Sequence, residues 1–321
     1  MALGVATARC DETIVFSDAV AAPKTAPEAL WQVGSLTKMY VAATVLRLAE
    51  ERKLTIEDSL ADYLSDFPDA ENITLLQLLN HTSGVFDYLQ TDAAVAALNA
   101  DPGRDVSNEE LIAFATEHGP AFSPGTSWGY SNTDYILLGR VVEEATGAQL
   151  GELVRTRALD PAELTHSFLA SVERPVGELV PGFQAGQDLT DVVNPKWWGA
   201  AGAMQATPGD VLEWARRLYA TTDVIGDASV AQMLTTVPTD HSKYRYGLGT
   251  VEWDASTTHG NGPAYGHFGS LPGYQCEVLY HPENQLTITA LVSDSDGKPH
   301  ALVLSAYEAF ASLQATPGER R

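Results

Sequence analysis

The stretch "VGSLTKMYVAA" sets Ser35 and Lys38 three residues apart at the mouth of a strongly apolar run. On a helix, positions i and i+3 share a face, so the ammonium reaches the hydroxyl. A serine hydroxyl needs a nearby base before it attacks a carbonyl. Lysine is such a base only when neutral. Burial and the positive end of a helix dipole both disfavour its charged form. The same helix mouth offers backbone N–H groups to a developing oxyanion. The competing reading is a serine cap followed by a first-turn lysine, because S-x-x-K alone is common. The dipole disfavours a lysine there, and the following run is too apolar for a surface helix.

Two later stretches carry further chemistry. Tyr130-Ser131-Asn132 precedes another helical segment. A phenol shuttles a proton where cations lower its pKa, and Asn132 both donates to a carbonyl and accepts from an amide. Ser131 reads as the helix N-cap. In "YGHFGSLPG", strand alternation puts Tyr265, His267 and Gly269 on one face and Phe268 on the other. His267 is then a cationic or hydrogen-bonding wall, Gly269 lets a substrate backbone approach, and the Ser270 N–H completes an oxyanion hole. A rival serine lies in Gly125–Gly129, which fits G-x-S-x-G. That elbow needs an apolar strand before the serine and a helix straight after it. Ser123-Pro124-Gly125 is turn chemistry instead, so Ser35 is the expected nucleophile. Trp128, Trp197 and Trp198 either line an apolar acyl pocket or pack the core.

These residues need elements to hold them. Ala2–Thr7 and Thr13–Ser17 read as a hairpin parted by Asp11-Glu12, and a loop with Pro23 and Pro27 follows. Leu36–Glu51 reads as a buried helix. Thr74-x-x-Gln77 and Ser107-x-x-Glu110 are capping boxes, with stops near Gly84 and Gly119. Asn132–Ala145 is helical up to Gly147, and Thr207-Pro208 opens another helix. Tyr246–Trp253, Ala264–Phe268, Tyr274–Tyr280 and Leu286–Val292 read as strands, with a last helix near Pro299–Leu313. Strands at both chain ends and helices between them imply an α+β fold. Its antiparallel sheet is assembled from both termini and flanked by helices, beside an all-helical domain. The expected division is a discontinuous α/β domain of residues 1–60 and 195–321, and a mainly helical domain of residues 61–194, with the site in the crevice between.

Composition narrows the partners. Forty-two acidic and 19 basic residues give a formal net charge of −23, a surface that repels phosphate backbones, so no nucleic-acid partner is expected. Neither Cys10 nor Cys276 lies in a C-x-x-C motif, which argues against a metal knuckle or redox pair; two free thiols are expected rather than a disulfide. No run approaches the ~18 apolar residues of a membrane helix. "MALGVATARC" lacks the basic start and the length of a signal peptide. No residue pattern assigns a compartment.

Taken in order, S-x-x-K, Y-S-N and H-x-G resemble the penicillin-recognising serine hydrolases. The narrower likeness is to the branch with class C β-lactamases, D-Ala-D-Ala carboxypeptidases of the S12 type, D-aminopeptidases and β-lactamase-like esterases. "WQVGSLTK", "LTIEDSLADYL", "ITLLQLLNHTSGV", "FSPGTSWGYSNTDYILLG", "GAMQATPGDVLEWARRL" and "YGLGTVEW" extend the likeness along nearly the whole chain. The resemblance implies a β-lactamase/transpeptidase-like fold and acyl transfer with no metal or organic cofactor. It implies that Ser35 is acylated, that Lys38 and Tyr130 relay the proton, and that Asn132, His267, Gly269 and Ser270 bind the substrate. It makes His81, in "NHTSG", a structural feature of a helix end. His267 stands where many relatives carry lysine, which favours a D-Ala-D-Ala carboxypeptidase-like or D-amino-acid peptidase, or an esterase, over an efficient β-lactamase. Small peptides, esters and β-lactams are the expected substrates. A non-catalytic penicillin-binding sensor is the rival from another class. The resemblance also leads one to expect a helix ahead of the first strand, and none is legible.

Overall fold

The computed structural model describes residues 1–7, 10–14, 28–255, 257–258 and 262–315. Its main sheet has eight strands in the order Cys10–Ile14, Ala2–Thr7, Leu286–Val292, Tyr274–His281, Ala264–Leu271, Val251–Trp253, Tyr244–Tyr246 and Val237–Pro238. Every neighbouring pair is antiparallel. The first strand of the chain therefore pairs with the last, as the strand–helix–strand order predicts. The fold is α+β, with helices on both faces of a sheet built from the two chain ends.

Alternation sorts the sheet's two faces. His267, Val278, Thr289 and Gly4 stand opposite one another in register, and a Cβ on Gly4 would meet Thr289 and Leu212 of the helix Pro208–Ala220. Tyr219 of that helix also stacks on Tyr280, with ring centroids 5.9 Å apart. On the other face, Leu279, Ile288 and Ala290 join Val303 and Tyr307 of the helix Pro299–Ala315 in a second apolar cluster. Burying both faces in this way is what lets the central strands read as nearly continuous apolar runs.

The helical expectations hold with small shifts. A single 3₁₀ turn, Gly34–Leu36, leads into the buried helix Thr37–Glu50. Thr74 and Gln77 form a full capping box, but that helix ends at Leu79, short of Gly84. Ser107 caps Asn108–His118 by accepting from the Glu110 N–H. The helix Asn132–Thr146 stops at left-handed Gly147.

Two expectations change, and one sheet is new. The expected strand Tyr246–Trp253 is two strands, because the Leu248 and Gly249 amides bond to the Met233 and Leu79 carbonyls instead of a ladder. Asp11-Glu12 lies inside the second strand, paired with Ala6 and Val5; residues 15–17, Pro23 and Pro27 fall outside the described residues. A separate three-stranded sheet joins Trp31–Gln32, Met204–Ala206 and Ser167–Leu169. Its strands are only two or three residues long, too short to leave an alternation signal.

Candidate active site

Local geometry brings Ser35 out at the end of the small sheet. The Val33 N–H donates to the Met204 carbonyl, and Gly34 then turns with φ +55°. That left-handed backbone suits glycine, which has no Cβ to clash. A Cβ there would lie 3.1 Å from the Ser270 nitrogen. The Thr37 hydroxyl locks the turn by donating to the Gly34 carbonyl at 2.6 Å while accepting from the Met204 N–H at 3.0 Å.

Lys38 is the second residue of that helix, one turn after Ser35, and is fully buried. Its Nζ is 3.2 Å from Ser35 Oγ, 2.8 Å from Asn132 Oδ1 and 2.8 Å from the Ala201 carbonyl. Burial pulls its pKa down to about 7, against the opposing pull of Asp87 and Asp134. The two acceptors that are never donors, Asn132 Oδ1 and Ala201 O, take two N–H bonds. A neutral amine then has its lone pair left for the Ser35 hydroxyl proton. The Lys38 nitrogen also sits 4.8 Å from the Tyr130 ring centre.

Tyr130 is half-buried, with its hydroxyl enclosed. Burial drives its pKa well above the ordinary value; nearness to Ser35 opposes this, and Asp87, Tyr244 and Asp134 add to it. Its hydroxyl lies near enough to Ser35 to feel it but makes no fully formed hydrogen bond. The phenol therefore keeps its proton at neutral pH, the opposite of a cation-lowered phenol. Ser131 occupies the N-cap position but makes no side-chain cap bond, and its hydroxyl is buried without a partner.

Asn132 is held at both ends of its amide: Oδ1 accepts from Lys38, and Nδ2 donates to Asp87 at 3.1 Å. Asp87 is nearly buried, and desolvation raises its pKa. Thr133 fixes the Asp87 loop by donating to the Phe86 carbonyl and accepting from the Tyr88 N–H. Spacing alone gave no sign of Asp87 or the Ala201 carbonyl. The one trace of Asp87 is a lone acid within the apolar stretch "VFDYL".

His267 departs from its expected place. The alternation is as read, but the face it shares with Gly269 points into the protein, and His267 is fully buried. Its Nδ1–H donates to the Phe268 carbonyl at 2.6 Å, which leaves Nε2 to accept from the Tyr246 hydroxyl at 2.9 Å. Burial lowers its pKa to about 3, so it is neutral and has no donor to offer a substrate. Phe268 stands in the cleft wall instead.

Gly269 packs more tightly than a substrate-approach role requires. A Cβ there would lie 2.0 Å from the Val33 carbonyl oxygen and 3.2 Å from the Ser35 nitrogen. This close contact brings the Ser270 and Ser35 backbones side by side. The cleft they border encloses about 1040 Å³, with Phe86, Phe122, Trp128, Tyr244, Trp253 and Phe268 among its walls. A smaller hollow of about 90 Å³ adjoins Ser35 and is lined by Tyr88, Leu89, Trp198 and Leu271. The three tryptophans thus divide: Trp128 lines the cleft, Trp198 lines the hollow, and Trp197 is core. Ser127, the rival serine, is exposed in a loop before the helix. Cys276 is a free buried thiol, and no candidate metal cluster occurs among the described residues. No helix of the described residues is long and apolar enough to cross a membrane.

A serine on a turn into a buried helix, a lysine at its hydroxyl and a Y-S-N segment beside them come together at this cleft. The chain matches the Beta-lactamase family over residues 2–312 and belongs to it. It is 26% identical over 301 residues to penicillin-binding protein 4* of Bacillus subtilis, covering 87% of this chain and 64% of that protein. It is 27% identical over 295 residues to a D-aminopeptidase of Brucella anthropi, covering 88% and 53%. The chain thus spans about half to two-thirds of the length of these curated relatives. The crystal structure of a D-stereospecific amidohydrolase from a Streptomyces species superposes with a TM-score of 0.85 at 25% identity, covering 95% of this chain and 92% of that one.

Proposed function

We propose that this chain is a serine hydrolase working through an acyl-enzyme, with a D-amino-acid amide or short peptide as its substrate. One observation carries the reading: Lys38 Nζ lies 3.2 Å from Ser35 Oγ with its other contacts filled by acceptors. In the reaction, neutral Lys38 takes the Ser35 proton as Oγ attacks the carbonyl carbon. The oxyanion rests on the Ser35 and Ser270 N–H groups. Tyr130 gives its proton to the leaving nitrogen as the C–N bond breaks, and the Lys38 ammonium restores it. Water then adds to the ester, giving its proton to the same relay, and Ser35 is released with the free acid. Asn132 orients the substrate amide, and the Asp87 carboxylate beside it suits a free amino group. Gly269 acts by holding the Ser270 backbone close, and His267 acts from behind the cleft wall. The division into residues 1–60 with 195–321, and residues 61–194, belongs to the same reading.

The D-aminopeptidase and the D-stereospecific amidohydrolase among the relatives support the substrate class. The large aromatic cleft and the small hollow at Ser35 suit substituents of unequal size on the two sides of the scissile bond. An esterase is the second reading, favoured by the apolar cleft wall. The deciding experiment compares turnover of D-alanine amide, a D-Ala-D-Ala peptide and short-chain esters, with intact-mass detection of acylated Ser35. Parent-level turnover in Ser35→Ala would end the proposal. A stable penicillin adduct with no turnover of any of these substrates would favour the sensor.

A further inference from the structure

His81 grips Tyr130 from both neighbours. Its carbonyl accepts from the Gly129 N–H at 3.0 Å, and its ring Nδ1 accepts from the Ser131 N–H at 3.4 Å. The residue between them, Tyr130, lays its ring against the imidazole, with centroids 4.5 Å apart. His81 makes these contacts from a left-handed backbone, φ +63°, which is uncommon for any residue but glycine. The ring is fixed in turn. Asp134 Oδ2 lies 2.8 Å from Nδ1, and the Ser83 hydroxyl donates to Asp134 Oδ1 at 2.6 Å. His81 and Asp134 are wholly buried. Asp134 stands in the first turn of the helix that follows Ser131, so the grip closes on the same segment that carries Asn132.

The Ser131 N–H and a neutral Asp134 acid share the single Nδ1 lone pair as a three-centre bond, with the 2.8 Å contact to Asp134 as its stronger arm. Burial pushes the Asp134 pKa well up, in the same direction. The imidazole proton falls on Nε2, which is buried and has no hydrogen-bond partner.

We propose that His81 is a positioning residue for Tyr130: it holds the phenol where it meets the leaving group and exchanges no proton itself. The inference rests on the acyl-transfer reading above. It predicts an effect that depends on the leaving group. An amide nitrogen must be protonated as it departs, whereas p-nitrophenolate leaves without help.

The test measures acylation rates of the parent, His81→Gly and His81→Asn on D-alanine amide and on p-nitrophenyl acetate. Glycine frees the strained backbone and removes the ring. Asparagine tolerates the left-handed backbone and keeps a short acceptor. Misplacement of a reacting group by about 1 Å costs on the order of 100-fold. His81→Gly is therefore expected to lose about 10- to 100-fold on the amide and less than about threefold on the ester, with His81→Asn between it and the parent. Equal losses on both substrates, or parental amide rates, would overturn the proposal. If His81→Gly melts before assay, His81→Asn decides by the same ratio. A parent that cleaves neither substrate would overturn the acyl-transfer reading itself, a distinct outcome.

Discussion

Asp87 and Lys38 face each other across the Asn132 amide, which accepts from the amine at 2.8 Å and donates to the carboxylate at 3.1 Å. The carboxylate opposes the effect of burial on Lys38 and keeps its pKa near 7. Asp87→Asn removes the charge and leaves the shape. The amine then holds its proton less tightly, so the acid limb of the kcat/KM profile is expected to move below pH 7. A neutral ester reports the shift without titrating itself. An acid limb that stays in place or moves up would show that Lys38 is not the base.

Lys38 also links activity to stability. Its folded pKa is about 7, against an ordinary value of 10.5. Between those values the unfolded chain binds a proton that the folded chain does not. Stability from this group therefore rises with pH through that window and is least at and below pH 7. Lys38→Met should abolish turnover and erase that rise. At 1.36 kcal/mol per pH unit, less the half-titrated end at pH 7, the variant's stability relative to the parent should fall by about 3–4 kcal/mol between pH 7 and pH 10. Urea unfolding at the two pH values gives the difference. A constant difference would mean that Lys38 titrates normally.

Motif residues and packing residues were not equally legible in the chain. Ser35, Lys38, Tyr130 and Asn132 sit at helix mouths, where short motifs are readable, and three-residue spacing pairs Ser35 with Lys38. The Thr74 and Thr207 caps were readable for the same reason. His267 was legible as a strand residue but not as a buried one. Alternation tells which residues share a face, not which face the tertiary fold covers. Asp87, the Ala201 carbonyl and the partners of His81 arise from contacts between distant segments. No local period encodes them.

The placement of His267 makes a prediction opposite to a simple motif repair. Lysine at this position would set an ammonium in a fully enclosed site beside Tyr246, near the Lys38 amine. His267→Lys is expected to lose about 3 kcal/mol or more of stability, the cost of an unpaired buried charge, with no faster acylation by penicillin. Thermal melts and a fluorescent penicillin measure the two effects. A stable variant that acylates faster would return residue 267 to the cleft wall.

Gly269 and Ser270 separate the backbone role from the side-chain role in the proposed oxyanion hole. A methyl group on Gly269 would lie 2.0 Å from the Val33 carbonyl oxygen, so Gly269→Ala must push the strand end away from the Ser35 turn. Overpacking of this kind costs about 1–3 kcal/mol of stability. Because the shift also carries the Ser270 N–H away, kcat should fall by roughly 100- to 1000-fold, the loss typical of one oxyanion donor. Ser270→Ala keeps the N–H and removes only a hydroxyl that accepts from Gln275 at 2.8 Å. That variant should keep kcat within about threefold. Comparing the two against the same ester distinguishes the backbone from the hydroxyl. If Ser270→Ala is the more damaging change, the hydroxyl takes part in the chemistry and the N–H pair does not suffice.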